Sequence, residues 1–402
     1  MSDNAQKSFQ QGDQLVDKSL ALIAFTGGGS AGHVTPNLAL IENWQAIGGQ
    51  AMYLGRAQSI EEDLVKKAGI PFFAMPSERL RRYFDWRNFL MPFQVLWGIY
   101  VAVKHLRAQK PKALFSKGGF VALPPVIASW LCGIPIFIHE SDGSLGLANR
   151  LSLPFAKVVC FAQKTAFFNF VKQKTKTVNT ANVSASMTEF EVSKYQSAIF
   201  VGSPIRRAFY EADPKRAYLK YQLDPNLPLI LVFGGSQGSA HLNQVVKKLR
   251  HDLLKTDQIV HVCGEKQVDL SLNDPHYHQL EYIHDGFADL LSAARLVICR
   301  AGANSLAELM VLKKPAILIP LSTQNSRGDQ LLNAQEFKSN GYGTYLENEA
   351  LNEETLLEAI REMSKPETLQ AVENAFNQIK STNQQKIIEK FKNFTMSDDE
   401  HP

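Results

Sequence analysis

One local unit occurs twice in this chain, and it restricts the fold more than any other feature. ALIAFTGGGSAGH (21–33) is an apolar run, a glycine-rich turn and a helix start; LILVFGGSQGSAHLN (229–243) repeats that order in the second half. Between and beyond these units lie further short β-rich runs: AMYL (51–54), KALFS (112–116), PIFIH (135–139), KVVCF (157–161), AIFV (198–201), QIVHV (258–262), RLVIC (295–299) and AILIP (316–320). The runs are continuous rather than alternating, as expected of parallel strands buried on both faces. They alternate with helix-like stretches, so the chain is predicted to be α/β, with two Rossmann-like doubly wound domains facing a central cleft. The expected divisions are a disordered lead-in over 1–18, a first domain over 19–202, a second over 203–375, and a C-terminal helix and tail over 376–402. The boundary falls near Gly202-Ser203-Pro204. The polar stretch from Lys172 to Ser197 is expected to be a mobile surface insertion. Residues 354–393 are expected to form one or two helices, the last packing back on the first domain.

Composition removes other classes. Of the 402 residues, 45% are apolar and 20% charged, so neither a disordered nor a disulfide-framework protein fits. A net charge of +4 implies no nucleic-acid partner by itself. The four cysteines, Cys132, Cys160, Cys263 and Cys299, have no metal-ligand spacing and suit a reducing compartment. Residues 118–138 carry no charge, long enough to span a bilayer. However, Pro124, Pro125, Gly133 and Pro135 divide them into a helix near 125–132 and a buried strand.

The chemistry gathers at strand ends. The first turn, Thr26 to His33, brings backbone N–H groups and a helix start to one place, which suits an anion. It lacks the Lys-Ser/Thr ending of a phosphate-binding P-loop, and no acidic residue ends the next strand as nicotinamide dinucleotides would require. His33 can serve as a general base or bind a phosphate or sugar. The second turn, Gly234 to Ser239, repeats the arrangement with the Ser236 hydroxyl. A third turn, Cys299 to Glu308, opens another helix, with Glu308 placed to meet a ligand diol. Pro320 to Gln330 is a polar loop rich in sugar-binding side chains. Any one of these turns is weak evidence; four in this order define a ligand cleft.

TGGGSAGHVTPNLAL, SKGGF, HESDGSLGLANR, VGSPIRR, GGSQGSAHLN, CRAGANSLAEL and SRGDQLLNA, in this order over about residues 20–390, resemble the MurG family. The resemblance implies a GT-B fold and an inverting glycosyltransferase. Its donor would be UDP-N-acetylglucosamine and its acceptor lipid I, giving lipid II for peptidoglycan synthesis. It implies no cofactor and a peripheral position on the cytoplasmic side of the inner membrane, with other cell-wall synthesis proteins as possible partners. The first domain would then take the acceptor and face the membrane, and the second would bind the UDP-sugar. Carried over by position, Ser30, Ala31 and Gly32 match the first-loop contacts with the donor, and His33 the adjacent histidine. Arg206 matches the arginine at the nucleotide diphosphate, and Ser236 the phosphate-loop serine. Glu308 matches the carboxylate on the ribose diol, Ile283 the position whose backbone reads uracil, and Gln330 the glutamine that orients the sugar hydroxyls. Two positions depart from the commoner pattern: Asp142 stands in HESD where many members have asparagine in HEQN, and Asp329 precedes Gln330 where many have a Gln-Gln pair. The resemblance leaves a second class open, another UDP-sugar-dependent GT-B glycolipid transferase.

Inverting transfer needs a base for the acceptor hydroxyl and stabilisation of the leaving diphosphate. His33 is the first candidate base and Asp142 the second; Glu140 is expected to orient its loop. No Asp-x-Asp metal motif follows a strand, so helix N-termini, loop amides and Arg206 are expected to stabilise the leaving group. Residues 77–110 hold seven arginines and lysines against two acidic residues, interleaved with Tyr83, Phe84, Trp86, Phe89, Phe93 and Trp97. Arginines beside aromatics suit an anionic membrane surface. Val95, Ile99 and Val103 are expected to pack on the sheet instead, and Trp130 to join the exposed surface.

Overall fold

The computed structural model of the chain describes residues 21–77, 91–174, 187–193, 196–235, 238–272, 274–322, 328–378 and 385–396. The first domain is built on β1 (Leu22–Thr26), β2 (Gln50–Arg56), β3 (Phe72–Met75), β4 (Ala113–Ser116), β5 (Ile136–Glu140), β6 (Val158–Phe161), β7 (Glu189–Ser193) and β8 (Gln196–Phe200). The second is built on β9 (Leu229–Phe233), β10 (Gln258–Val262), β11 (Tyr277–Leu280), β12 (Ala294–Cys299), β13 (Ala316–Leu318) and β14 (Gly343–Tyr345). Their sheet orders are β3-β2-β1-β4-β5-β6-β8-β7 and β11-β10-β9-β12-β13-β14. Every pairing is parallel except that of β7 with β8. In both sheets the first strand lies between the second and the fourth, so each has its topological switch point there, β1/β4 and β9/β12. That is where open α/β sheets take ligands, beyond the carboxyl ends of the strands.

All ten apolar runs are strands. The four strands that the sequence does not announce, β3, β7, β11 and β14, are the four sheet edges. An edge strand buries less of each face and needs no continuous apolar run. β7 also corrects the reading of 172–197: residues 189–193 pair antiparallel with β8 as a hairpin, and the helix Lys164–Lys174 enters the stretch from the other side. Residues 175–186 and the lead-in over 1–18 lie outside the described residues. Among the described residues the C-terminal region holds three helices rather than one or two, Glu353–Met363, Pro366–Asn377 and Gln385–Met396, with Pro366 opening the second.

Side-chain alternation builds two layers on the first sheet. Ile23 and Phe25 face one side with Phe115 and Phe137, and the helix Ala31–Ala46 covers them through Val34, Leu40, Ile41 and Trp44. The C-terminal helix completes this layer: Phe391 is fully buried, edge-on to Phe25, Trp44, Phe115 and Phe137 with ring centroids 5.2–6.1 Å apart. On the other face Ala24, Leu114 and Ile138 meet Ala102 and Leu106 of the helix Met91–Gln109, and Val126 and Ala128 of the helix Leu123–Leu131. Residues 118–138 are thus a short helix and β5. Among the described residues no helix is long and apolar enough to cross a membrane. The second sheet is enclosed in one continuous core.

Candidate active site

The two switch points face each other across a cleft of about 790 Å3. Ser30, Gly32, His33 and Asp142 line it from the first domain, and Glu308 and Gln330 from the second. Ala31 opens the helix Ala31–Ala46. Arg206 is not among the lining residues but lies against Glu308, which is. Ile283, beyond β11, packs against the second core and is not among the lining residues. Ser236 lies outside the described residues, as do Arg79 to Phe89.

His33 sits in the first helical turn after Ser30, the N-cap, and its backbone N–H bonds the Ser30 carbonyl at 3.1 Å. The turn is held against the loop after β4. Gly119 has a φ of +82°, and a Cβ there would overlap the Gly28 carbonyl, so only glycine lets the two loops close on each other. Across the cleft, the Asn304 amide of the helix Ala303–Val311 donates to the Gly32 carbonyl at 2.9 Å, tying the first turn to the third.

Beyond β5, Glu140 is buried and organises its loop. Its carboxylate accepts from the backbone N–H groups of Ser141, Asp142 and Gly146 and from the Asn149 amide, at 2.8–3.1 Å. With those donors its role is to fix the loop, and Ser141 and Asp142 are thereby presented to the cleft.

In the second domain Glu308 is largely buried, with 18% of its side chain exposed, and Arg206 Nη2 lies 3.6 Å from its Oε1. Burial pushes the Glu308 carboxyl up to about 7, against the pull of the Arg206 guanidinium. The guanidinium also covers the Phe209 ring at 5.0 Å. Gln330, in the first turn of the helix Asp329–Ser339, accepts the Leu321 N–H through Oε1 at 3.0 Å. Its amide N–H groups are thereby oriented as donors.

Several functional contacts escape a reading by motif. Arg300 donates to the carbonyls of Ile319 and Pro320, to Asn348, and to Ser239 Oγ at 2.6 Å, so it ties the second turn to the loop after β13. His261 bonds Tyr277 and Asn243, and Asn243 bonds the Cys263 carbonyl and Gln267, anchoring the helix Ala240–Leu253 behind the second turn. Lys117, within SKGGF, is a buried cation on the first-domain wall of the cleft. The sequence offers only a lysine inside a glycine-rich motif as its signal; its burial and partners come from the fold.

The fold and cleft define a two-domain glycosyltransferase, and residues 23–161 and 229–391 match the N-terminal and C-terminal domains of glycosyltransferase family 28. The chain is 41% identical over 339 residues to a Clostridium botulinum protein, covering 84% of this chain and 89% of that one. That relative is named UDP-N-acetylglucosamine--N-acetylmuramyl-(pentapeptide) pyrophosphoryl-undecaprenol N-acetylglucosamine transferase. A Bacillus cereus protein of the same name, numbered 2, is 39% identical over 344 residues, 85% of this chain and 91% of its own. The crystal structure of Acinetobacter baumannii MurG superposes with a TM-score of 0.67 at 23% identity, over 93% of this chain and 100% of that chain. A calicheamicin glycosyltransferase superposes at 0.64 and 14% identity, over 93% and 98%, which shows the shared fold alone. The chain belongs to the MurG family.

Proposed function

We propose that the interdomain cleft transfers N-acetylglucosamine from UDP-N-acetylglucosamine to the muramoyl 4-hydroxyl of lipid I, giving lipid II with inversion at the sugar C1. The observation that carries this reading is the meeting of His33, from the first switch point, with Glu308 and Gln330 of the second around one cavity. The second domain holds the donor. Glu308 accepts the ribose hydroxyls, the backbone at Ile283 reads the base, and Ser236 and the helix start behind it receive the diphosphate. Gln330 donates to the sugar hydroxyls. Arg206 stays against Glu308 until the donor arrives; the diphosphate then takes the guanidinium and the ribose takes the carboxylate. Charge on the departing UDP is met by Arg206 and by the N-termini of Ala240–Leu253 and Ala303–Val311. Ser30, Ala31 and Gly32 close the first turn over the donor.

His33 removes the proton from the acceptor hydroxyl as its oxygen attacks C1. A second reading gives that proton to Asp142, because the Glu140-bound loop presents it to the same cavity. Comparing His33→Ala with Asp142→Asn separates the two. A base contributes roughly 10²–10⁴-fold, so the variant lacking it loses that factor in kcat and keeps its donor KM. Should both variants stay within a few-fold of wild type, the base lies elsewhere.

The acceptor is tethered to lipid, and the first domain has a surface suited to reach it. Phe93, Leu96, Trp97 and Tyr100 form one exposed face of the helix Met91–Gln109 at helical spacing, and Trp130, Leu131, Leu147 and Leu151 are exposed on neighbouring helices. Leu147 and Leu151 also line the cleft, so the apolar surface runs to its mouth. Lys104, Arg107 and Lys110 lie on and just beyond the same helix. The placement fits peripheral docking on an anionic bilayer at its cytoplasmic side.

A further inference from the structure

The acceptor-side wall contains one charged group with no part in the transfer as described. Lys117 follows β4 and is 2% exposed, yet it borders the cleft. Its Nζ lies 2.7 Å from His139 Nδ1 and hydrogen-bonds Ser141 Oγ. The second ring nitrogen of His139 fixes the direction of the first contact. Nε2 is 2.9 Å from the Gly202 carbonyl, which can only accept, so Nε2 carries the ring proton and Nδ1 accepts from the ammonium. Lys117 and His33 flank the same glycine: a Cβ at Gly27 would stand 3.0 Å from Lys117 Cβ and 3.3 Å from the His33 carbonyl.

The titratable groups facing Lys117 are His139 and Glu140 of β5, Asp142 of the following loop, and Cys160 of β6. Burial pushes the lysine down to about 8, while Glu140 and Asp142 favour its charged form. Burial and the lysine together hold His139 well below its ordinary value, and burial pushes the Cys160 thiol up, so both are neutral. Lys117 is therefore the cation among these groups. A methionine would fill similar volume without the cost of desolvating a charge. What the ammonium adds is a pair of directed hydrogen bonds, one to His139 at the end of β5 and one to Ser141 in the loop after it, and a positive field at Asp142, one of the two candidate bases.

We propose that Lys117 is a positioning residue for proton removal at the acceptor: it fixes the end of β5 and the loop after it through His139 and Ser141, and its charge favours the ionised form of Asp142. The proposal rests on the cleft being the site of transfer and on the reading in which Asp142 is the base. Removing the cation beside it makes the Asp142 carboxylate easier to protonate. The acidic limb of the pH–rate profile then moves to higher pH.

The test is the pH dependence of kcat/KM for the full-length Lys117→Met protein with UDP-N-acetylglucosamine and a lipid I analogue. The acidic limb is expected to move up by about one pH unit, the shift a unit charge produces across a partly buried site. Any alkaline limb near pH 8 belonging to Lys117 is expected to vanish, while UDP binding stays within about twofold of wild type. Lys117→Ala is expected to regain activity with added ethylammonium in a concentration-dependent way, which a lost packing contact would not show. Ser141→Ala keeps the charge, so it is expected to lower kcat with the acidic limb unmoved, and it serves if the lysine variants do not fold. Unmoved limbs in Lys117→Met, no ethylammonium rescue in a Lys117→Ala protein that binds UDP, or a shifted acidic limb in Ser141→Ala would overturn the proposal. A wild-type protein that gives no lipid-linked product would instead overturn the assignment of the cleft.

Discussion

At the residue scale, the Arg206–Glu308 pair carries a buried carboxyl, and under the proposed donor site it would link donor binding to pH. The Glu308 carboxyl titrates near 7 in the folded protein, above its ordinary value of 4.5. The folded state therefore binds this proton more tightly than the unfolded chain. Stability is lost as pH rises from about 4.5 to 7, and the loss is complete above 7. Glu308→Gln removes that penalty, so its melting temperature is expected to exceed wild type at pH 8 and to converge with it near pH 5. If Glu308 holds the ribose diol as proposed, it does so as the ionised carboxylate, so the wild-type donor KM is expected to rise as pH falls below 7, and that of Glu308→Gln to be high and independent of pH. A melting difference that does not depend on pH would show that the carboxyl is not perturbed. The sequence made Glu308 and Arg206 visible through their motifs. It did not show that they touch each other, because nothing in local spacing joins residues a hundred positions apart. Arg300, Asn304 and Lys117 were illegible for the same reason: each works through a partner on another strand end.

At the element scale, the interior strands declared themselves because each is buried on both faces, as β9 and β10 are along their whole length. β14, a three-residue edge strand beginning at Gly343, carries no comparable signal. The helix Gln385–Met396 is amphipathic enough to be foreseen, and its contacts explain why it belongs to the first domain. Phe391→Ala opens a void among four aromatic rings and is expected to cost about 3–5 kcal/mol of unfolding free energy. Chemical denaturation measures this; a loss below about 1 kcal/mol would mean that the helix docks weakly. The helix Met91–Gln109 divides its surface differently. Gly98, Ala102 and Leu106 are buried, Val95, Ile99 and Val103 are partly buried, and Phe93, Leu96, Trp97 and Tyr100 face outward, with the Trp97 and Tyr100 rings stacked at 5.3 Å. Trp97→Ser with Tyr100→Ser is expected to reduce co-sedimentation with anionic vesicles severalfold while sparing UDP binding. Sedimentation equal to wild type would place the membrane contact elsewhere.

At the scale of the whole molecule, the domains meet through polar contacts. Besides Asn304 with Gly32, Ser144 donates to Asp329 at 3.3 Å, Gln163 to Asn333 at 2.7 Å and Thr165 to Glu336 at 3.0 Å. Each contact is worth only about 0.5–1.5 kcal/mol net, so the interface holds a geometry without welding the domains together. Such an interface suits a cleft that must admit a nucleotide sugar from one side and a lipid-borne acceptor from the other. The repeated strand–turn–helix unit already indicated two facing sheets. How the facing loops interlock across the cleft depends on side chains from both halves, and no single segment encodes that. The central claim is tested most directly by incubating the purified protein with UDP-N-acetylglucosamine labelled in the sugar and a lipid I analogue, then identifying the labelled product. The label is expected in a lipid-linked disaccharide with a β-linkage to the muramoyl 4-hydroxyl. Label in a different glycolipid, in an epimerised nucleotide sugar, or remaining wholly in the donor would contradict it.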